Sequence, residues 1–121
     1  MSDSKELGKQ GENIASAFLR EKGYKILSRN FKMGKNEIDI IAEKENIIIF
    51  IEVKTRSENY LEHPHTAVMA SKQKAIIMVA DQYLRKYNVD KDSRFDIITI
   101  IKNNDEFEIA HIENAFYPTL K

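Results

Sequence analysis

Two periodicities alternate along the chain. From Ser4 to Lys22, Leu7, Gly11, Ile14, Ala15, Phe18 and Leu19 recur at helical spacing, and Gly23 stands where a helix stops. A short strand is predicted over Tyr24 to Asn30, and the loop FKMGKN around Gly34 leads to a second over Glu37 to Ala42. The polar turn EKEN joins this to a third strand, Ile47 to Thr55, so the two should form a hairpin. Helical spacing returns after Ser71, a candidate N-cap, with Ala75, Ile76, Val79, Ala80, Tyr83, Leu84 and Tyr87 on one stripe. Polar NVDKDS follows, then strand character in RFDIITIIK, a turn at NNDE and a last strand, FEIAHI. The order αβββαββ places a long crossover helix between strands three and four, which makes those two parallel neighbours. The expectation is an α/β domain spanning residues 1–121, a mixed sheet flanked by helices.

Alternation then sorts the hairpin's side chains. With the turn centred on Lys44 and Glu45, Ala42 opposes Ile47 and Asp39 opposes Phe50. Ile38, Ile40, Ala42, Ile47, Ile49, Ile51 and Val53 then share one apolar side. The other side holds Glu37, Asp39, Ile41, Ile48, Phe50, Glu52 and Lys54, with its charges at the end away from the turn. Glu52 becomes the diagonal neighbour of Asp39. A slip of one residue would mix charge into the apolar side, which disfavours it.

Composition narrows the classes. The chain has 121 residues, enough to close one core, and no Cys, which excludes disulfides and thiolate metal sites. The start, MSDSKELGKQGEN, is polar, so no secretory signal is expected, and no apolar run reaches membrane-spanning length. A soluble cytoplasmic protein with no membrane partner is expected. Lys and Arg (19) balance Asp and Glu (19), so the net charge attracts no polyanion, but the distribution is uneven. Residues 20–35 carry six Lys or Arg against one acid, and residues 88–113 carry seven acids against three Lys or Arg. The plainest account of that polarity is two solvated surfaces.

The patch of Asp39, Glu52 and Lys54 asks for chemistry. Two carboxylates on a mostly buried sheet are costly to ionise without a counter-charge. Lys54 supplies one, and Mg²⁺ or Mn²⁺, which favour carboxylate oxygens and retained waters, could supply the rest. Such a set suits hydrolysis of a phosphodiester, with Lys54 positioning or deprotonating water or neutralising developing charge. The competing account is a same-face ion pair, Glu52 with Lys54, at a strand end.

EIDIIA followed by FIEVKTR resembles the PD-(D/E)xK signature of restriction-endonuclease-like nucleases. The longer series GKQGENIASAFLREKGYKILSRNF, NEIDIIA, FIEVKTR, HPHTAV, SKQKAI, YL and RFDIITI resembles the YraN family of small predicted endonucleases, which are similar to archaeal Holliday-junction resolvases. The resemblance implies a restriction-endonuclease-like αβββαβ core, Asp39 and Glu52 as metal-binding acids, and Lys54 as catalytic lysine. It also implies Glu12, in GENIA, as the first-helix acid completing the site, and Lys72 as a phosphate-facing cation at the start of the second helix. Taken alone, Glu12 is a helix-edge acid beside Leu19, and Lys72 is a surface lysine. Asn36 replaces the family's Gly before Glu37-Ile38-Asp39, where its tolerance of left-handed backbone should preserve a turn. Ile38 stands where the signature's Pro would be.

These residues together predict a metal-dependent, structure-selective DNA endonuclease, with Arg29, Lys32, Lys35, Arg56 and Lys72 flanking the site as phosphate contacts. A homodimer would suit cutting on both strands. The rival prediction is a module on the same fold that binds nucleic acid without cutting. His63 and His65, flanking Pro64, lack further soft ligands nearby and read as a plain loop. His111 reads as a packed strand residue, and Asp96 as a strand-edge charge with Arg94 near it.

Overall fold

The computed structural model describes residues 3–57 and 70–118. In chain order these form helix α1 (Asp3–Glu21), strands β1 (Lys25–Met33), β2 (Asn36–Lys44) and β3 (Ile47–Ser57), helix α2 (Ala70–Lys86), and strands β4 (Ser93–Asn103) and β5 (Glu106–Phe116). The five strands make one sheet in the order β1-β2-β3-β4-β5. Only β3 and β4 run parallel, joined through α2, and the other pairs are antiparallel. This is the mixed α/β arrangement and element order that the periodicities predict. No helix among the described residues is long and apolar enough to cross a membrane. His63 and His65 lie outside the described residues.

The unbroken apolar run of β3 has a direct cause, since both faces of the sheet are covered. On one face Ile76, Val79, Ala80 and Tyr83 of α2 pack with Ile41, Ile48, Phe50, Phe95 and Ile97. On the other, Ala15 and Leu19 of α1 pack with Ile40, Ala42, Ile49, Ile51, Ile98 and Ile100. Adjacent residues of β3 therefore feed opposite cores.

Left-handed residues set the corners. Gly23 (φ 92) ends α1: its N–H reaches the Arg20 carbonyl at 3.0 Å and that of Tyr24 reaches Leu19 at 2.9 Å. Asn88 (φ 52) closes α2 the same way, its N–H on Arg85 at 3.2 Å and that of Val89 on Leu84 at 2.9 Å. Helix α2 begins at Ala70, so Ser71 falls inside its first turn and not at the cap.

The β2–β3 hairpin turns on Glu45 (φ 53) and Asn46 (φ 66), two consecutive left-handed residues whose twist suits a two-residue connection. This moves the pairing by two positions from the expected register. Lys44 opposes Ile47, and Ile49, not Ile47, lies across from Ala42. A shift of two preserves most of the predicted facing. The first turn corrects another expectation: Gly34 (φ 60) supplies its left-handed residue, while Asn36 is already strand, paired with Met33.

One break in the alternation matters for the site. Ile38 packs in the α2-side cluster with Ile41, Ile48 and Phe50, not with Ile40 as strict alternation requires. Its neighbour across β1, Phe31, meets Tyr83 of α2 edge-on at 5.1 Å. Arg29, across from Ile40, instead donates to Asn13 of α1 at 2.9 Å. Between Arg29 and Phe31 stands Asn30 with φ 54. A left-handed residue inside a strand rotates the chain, and here β1 and β2 switch faces together around Asn30 and Asp39.

Candidate metal centre

The site forms where β2 and β3 part. Their paired register ends at Ile40 and Ile51, which leaves the Val53 N–H in need of another acceptor. The Asp39 side chain provides it, Oδ2 accepting from Val53 at 2.8 Å. Asp39 thus sits beside Glu52 and Val53, and not opposite Phe50, which pairs with Ile41. In place of the diagonal relation expected from the sequence, Asp39 bonds to the backbone of the residue next to Glu52.

Helix α1 reaches this gap because Gly11 lets it. A Cβ built on Gly11 would lie 1.9 Å from Thr55 Oγ1, so any side chain there would drive α1 away from β3. The next residue, Glu12, is carried into the opening. Carboxylate oxygens of Glu12, Glu37 and Asp39 lie within 4.8 Å of one another, close enough to share one cation. Asn30 Nδ2 donates to Glu12 Oε1 at 3.1 Å and to Glu37 Oε2 at 2.6 Å. The Arg29 guanidinium lies 3.9 Å from Glu12.

Glu52 lies deeper, only 5% exposed. Its Oε2 faces Lys54 and Lys72, each at 3.8 Å, while Oε1 is buried with no hydrogen-bond partner. A buried carboxylate oxygen without a donor is expensive to keep. Burial raises the proton affinity of Glu52, against the pull of Lys72 and Lys54. Asp39 is pushed up to about 8, first by burial and then by the charges of Glu52, Glu12 and Glu37, with the Val53 N–H opposing. Four acids therefore converge here, and the structure brings together Glu12, Asp39, Glu52 and Lys54 as the sequence expects. The tightest triad, however, contains Glu37 where the sequence reading has Glu52.

The basic residues divide. Arg29 and Lys72 touch the acids. Lys32 and Lys35 are exposed, and Lys35 borders a different groove, with Met33, Gly34 and Met78. Arg56 is half-buried, its Nη1 on the Thr55 carbonyl at 3.0 Å. Glu37 was legible, since it shares the charged side with Asp39 two residues on; Asn30 carried only the faint signal of an Asn at a strand end.

Asp96 is no strand-edge charge. It is fully buried on β4, an interior strand, and accepts from Arg94 Nε and Nη2 at 2.9 Å each and from the Asn114 N–H at 2.9 Å. His111 Nε2 lies 2.7 Å from its Oδ2, so His111 is packed as expected.

Comparison with known proteins places the chain. Residues 11–100 match the model of the "Uncharacterised protein family UPF0102". The chain is 48% identical over 120 residues to a UPF0102 protein of Bacteroides thetaiotaomicron, covering 99% of each. It is 49% identical over 118 residues to one of Chlorobium phaeobacteroides, covering 92% of this chain and 94% of the relative. One from Flavobacterium psychrophilum is 43% identical over 117 residues, covering 97% and 98%. The chain belongs to family UPF0102, the YraN family its motifs resemble.

Proposed function

We propose that this UPF0102 member is a metal-dependent endonuclease that hydrolyses phosphodiester bonds in structured DNA. The observation that carries the reading is geometric: carboxylate oxygens of Glu12, Glu37 and Asp39 lie within 4.8 Å of one another, beside Glu52, whose Oε1 is buried without a donor and whose Oε2 lies 3.8 Å from Lys54. The donors present leave Asp39 with a single backbone N–H among three other acids and one oxygen of Glu52 without a partner, an arrangement that a hard dication relieves.

Glu12, Glu37 and Asp39 are the residues that would hold Mg²⁺ or Mn²⁺, with Glu52 beside them, and the all-oxygen donor set fits such ions. The bound ion supplies Lewis acidity toward a phosphoryl oxygen and a more acidic water. Lys54, half-buried and two residues along β3 from Glu52, presents an ammonium to the phosphate and offsets charge that develops there. Lys72 in the first turn of α2 and Arg29 beside Glu12 flank the acids and suit backbone phosphates on either side. Among the described residues no element stands apart from the sheet and its two helices, which supports recognition by backbone and shape.

The test is cleavage of labelled branched, flapped, single-stranded and linear duplex DNA with Mg²⁺ or Mn²⁺. Asp39→Ala and Lys54→Ala should each lower the rate at least ~100-fold, the scale of losing a charge-stabilising group. Equal cutting by the wild type and both variants would refute the assignment. Salt-sensitive DNA binding without cutting would favour the non-cleaving module.

A further inference from the structure

Asn30 touches two of the acids and has no role in the function just proposed. It is exposed on β1, yet its backbone is left-handed (φ 54), and its amide nitrogen bridges Glu12 of α1 to Glu37 of β2. The orientation of that amide follows from its neighbours: the NH₂ group, not the carbonyl oxygen, must face two carboxylates. One oxygen of each acid is thereby engaged, and each keeps a second to offer.

The position makes two demands at once. The backbone must accept positive φ within a strand, which favours Gly, Asn and Asp. The side chain must also be a neutral double donor. Gly lacks the donor, Asp would add a further negative charge to the cluster, and Gln or Lys would strain the backbone. Among common side chains Asn meets both demands. The same left-handed turn coincides with the switch of faces in β1 and β2 that leaves Asp39 in the gap.

We propose that Asn30 is a positioning residue of the metal centre: its amide clamps Glu12 and Glu37 at the spacing a divalent cation needs, linking α1 to the sheet at the site. This rests on the cation reading above. Residues that orient ligating carboxylates change metal affinity by roughly 10–100-fold when replaced.

The full chain is titrated with Mn²⁺, followed by the loss of the free-ion electron paramagnetic resonance signal, for wild type, Asp39→Ala and Asn30→Gly. Gly keeps the backbone conformation and removes only the amide. Asn30→Gly is expected to unfold within a few degrees of wild type and to bind Mn²⁺ about tenfold more weakly. In wild type, the Asn30 side-chain amide resonances should shift on adding Mg²⁺, while those of Asn88, at the end of α2, stay in place. Wild-type affinity in Asn30→Gly, or Asn30 amide signals that ignore Mg²⁺ while the Asp39 backbone signals move, would overturn the clamp and leave the cation site standing. No Mn²⁺ binding by wild type would overturn both. Should Asn30→Gly fail to fold, the amide shifts in wild type decide alone.

Discussion

Asp39 and Asp96 are the same residue type within one sheet, and their surroundings treat them in opposite ways. Asp96 receives Arg94 through two N–H groups, the Asn114 N–H and a hydrogen bond with His111. Those donors outweigh burial and hold its carboxyl below the usual range. Arg94 is anchored in turn, donating to the Tyr24 hydroxyl at 2.8 Å and lying 3.7 Å from Glu113. Asp39 has one backbone donor and three acids, and its carboxyl rises to about 8. The lesson is that burial alone does not mark a functional carboxylate. The sign of its neighbours does: donors make a structural member, further acids make a place for a cation.

The largest effect should come from breaking the satisfied side. Asp96→Ala leaves Arg94 and His111 without their shared acceptor and should destabilise the fold by about 3–5 kcal/mol, as loss of one partner of a buried charge pair does. Denaturant unfolding measures it, and a change under 1 kcal/mol would mean the network contributes little. Gly11→Ala comes next. The methyl must displace Thr55 or lift α1, at about 1–3 kcal/mol, and because Glu12 travels with the helix, Mn²⁺ affinity should fall too. Unchanged affinity would separate the helix contact from the site.

Asp39→Asn should act in the opposite direction to Asp96→Ala. It keeps an acceptor for Val53 and removes the carboxylate, so the metal-free protein should gain about 1–2 kcal/mol at neutral pH, an increment of the size single stabilising substitutions give, at the cost of function. The pH dependence gives the same contrast with signs attached. Asp39 holds a proton in the native state that the unfolded chain, titrating near 4, has released, so metal-free stability falls as pH rises from about 4 to about 8. Asp96 works the other way, since its lowered value adds stability above the usual carboxylate range that is lost as the pH drops through and below it. Stability curves of wild type and Asp39→Asn should converge near pH 4 and separate toward pH 8. Parallel curves would show that Asp39 is not raised.

This contrast also explains what was readable in the chain. The central strand Ile47–Ser57 and the two helices follow from periodicity, because burial on both faces writes itself into composition. The hairpin faces survived a wrong register because the error was an even number of residues. The correct turn needs left-handed Glu45 and Asn46, and EKEN lacks the Gly that would have marked it. Ile38 departs from its expected side because Asn30 is left-handed, of which an Asn at the end of the expected strand is only a faint sign. Asp96 reads from the sequence as a strand-edge charge near Arg94 because its other partners are His111 and Asn114, which only the β4–β5 pairing brings within reach. Local pattern finds acids, and tertiary pairing decides which of them are satisfied.

The central claim is that the acids around Asp39 form a dication site. Isothermal titration with Mg²⁺ at pH 7, repeated in two buffers of different ionisation enthalpy, tests it most directly. A carboxyl raised to about 8 favours its proton at that pH, so binding should release protons, and Asp39→Asn should reduce that release to what Glu52 contributes. Absence of binding, or binding whose heat is the same in both buffers and in Asp39→Asn, would contradict the account.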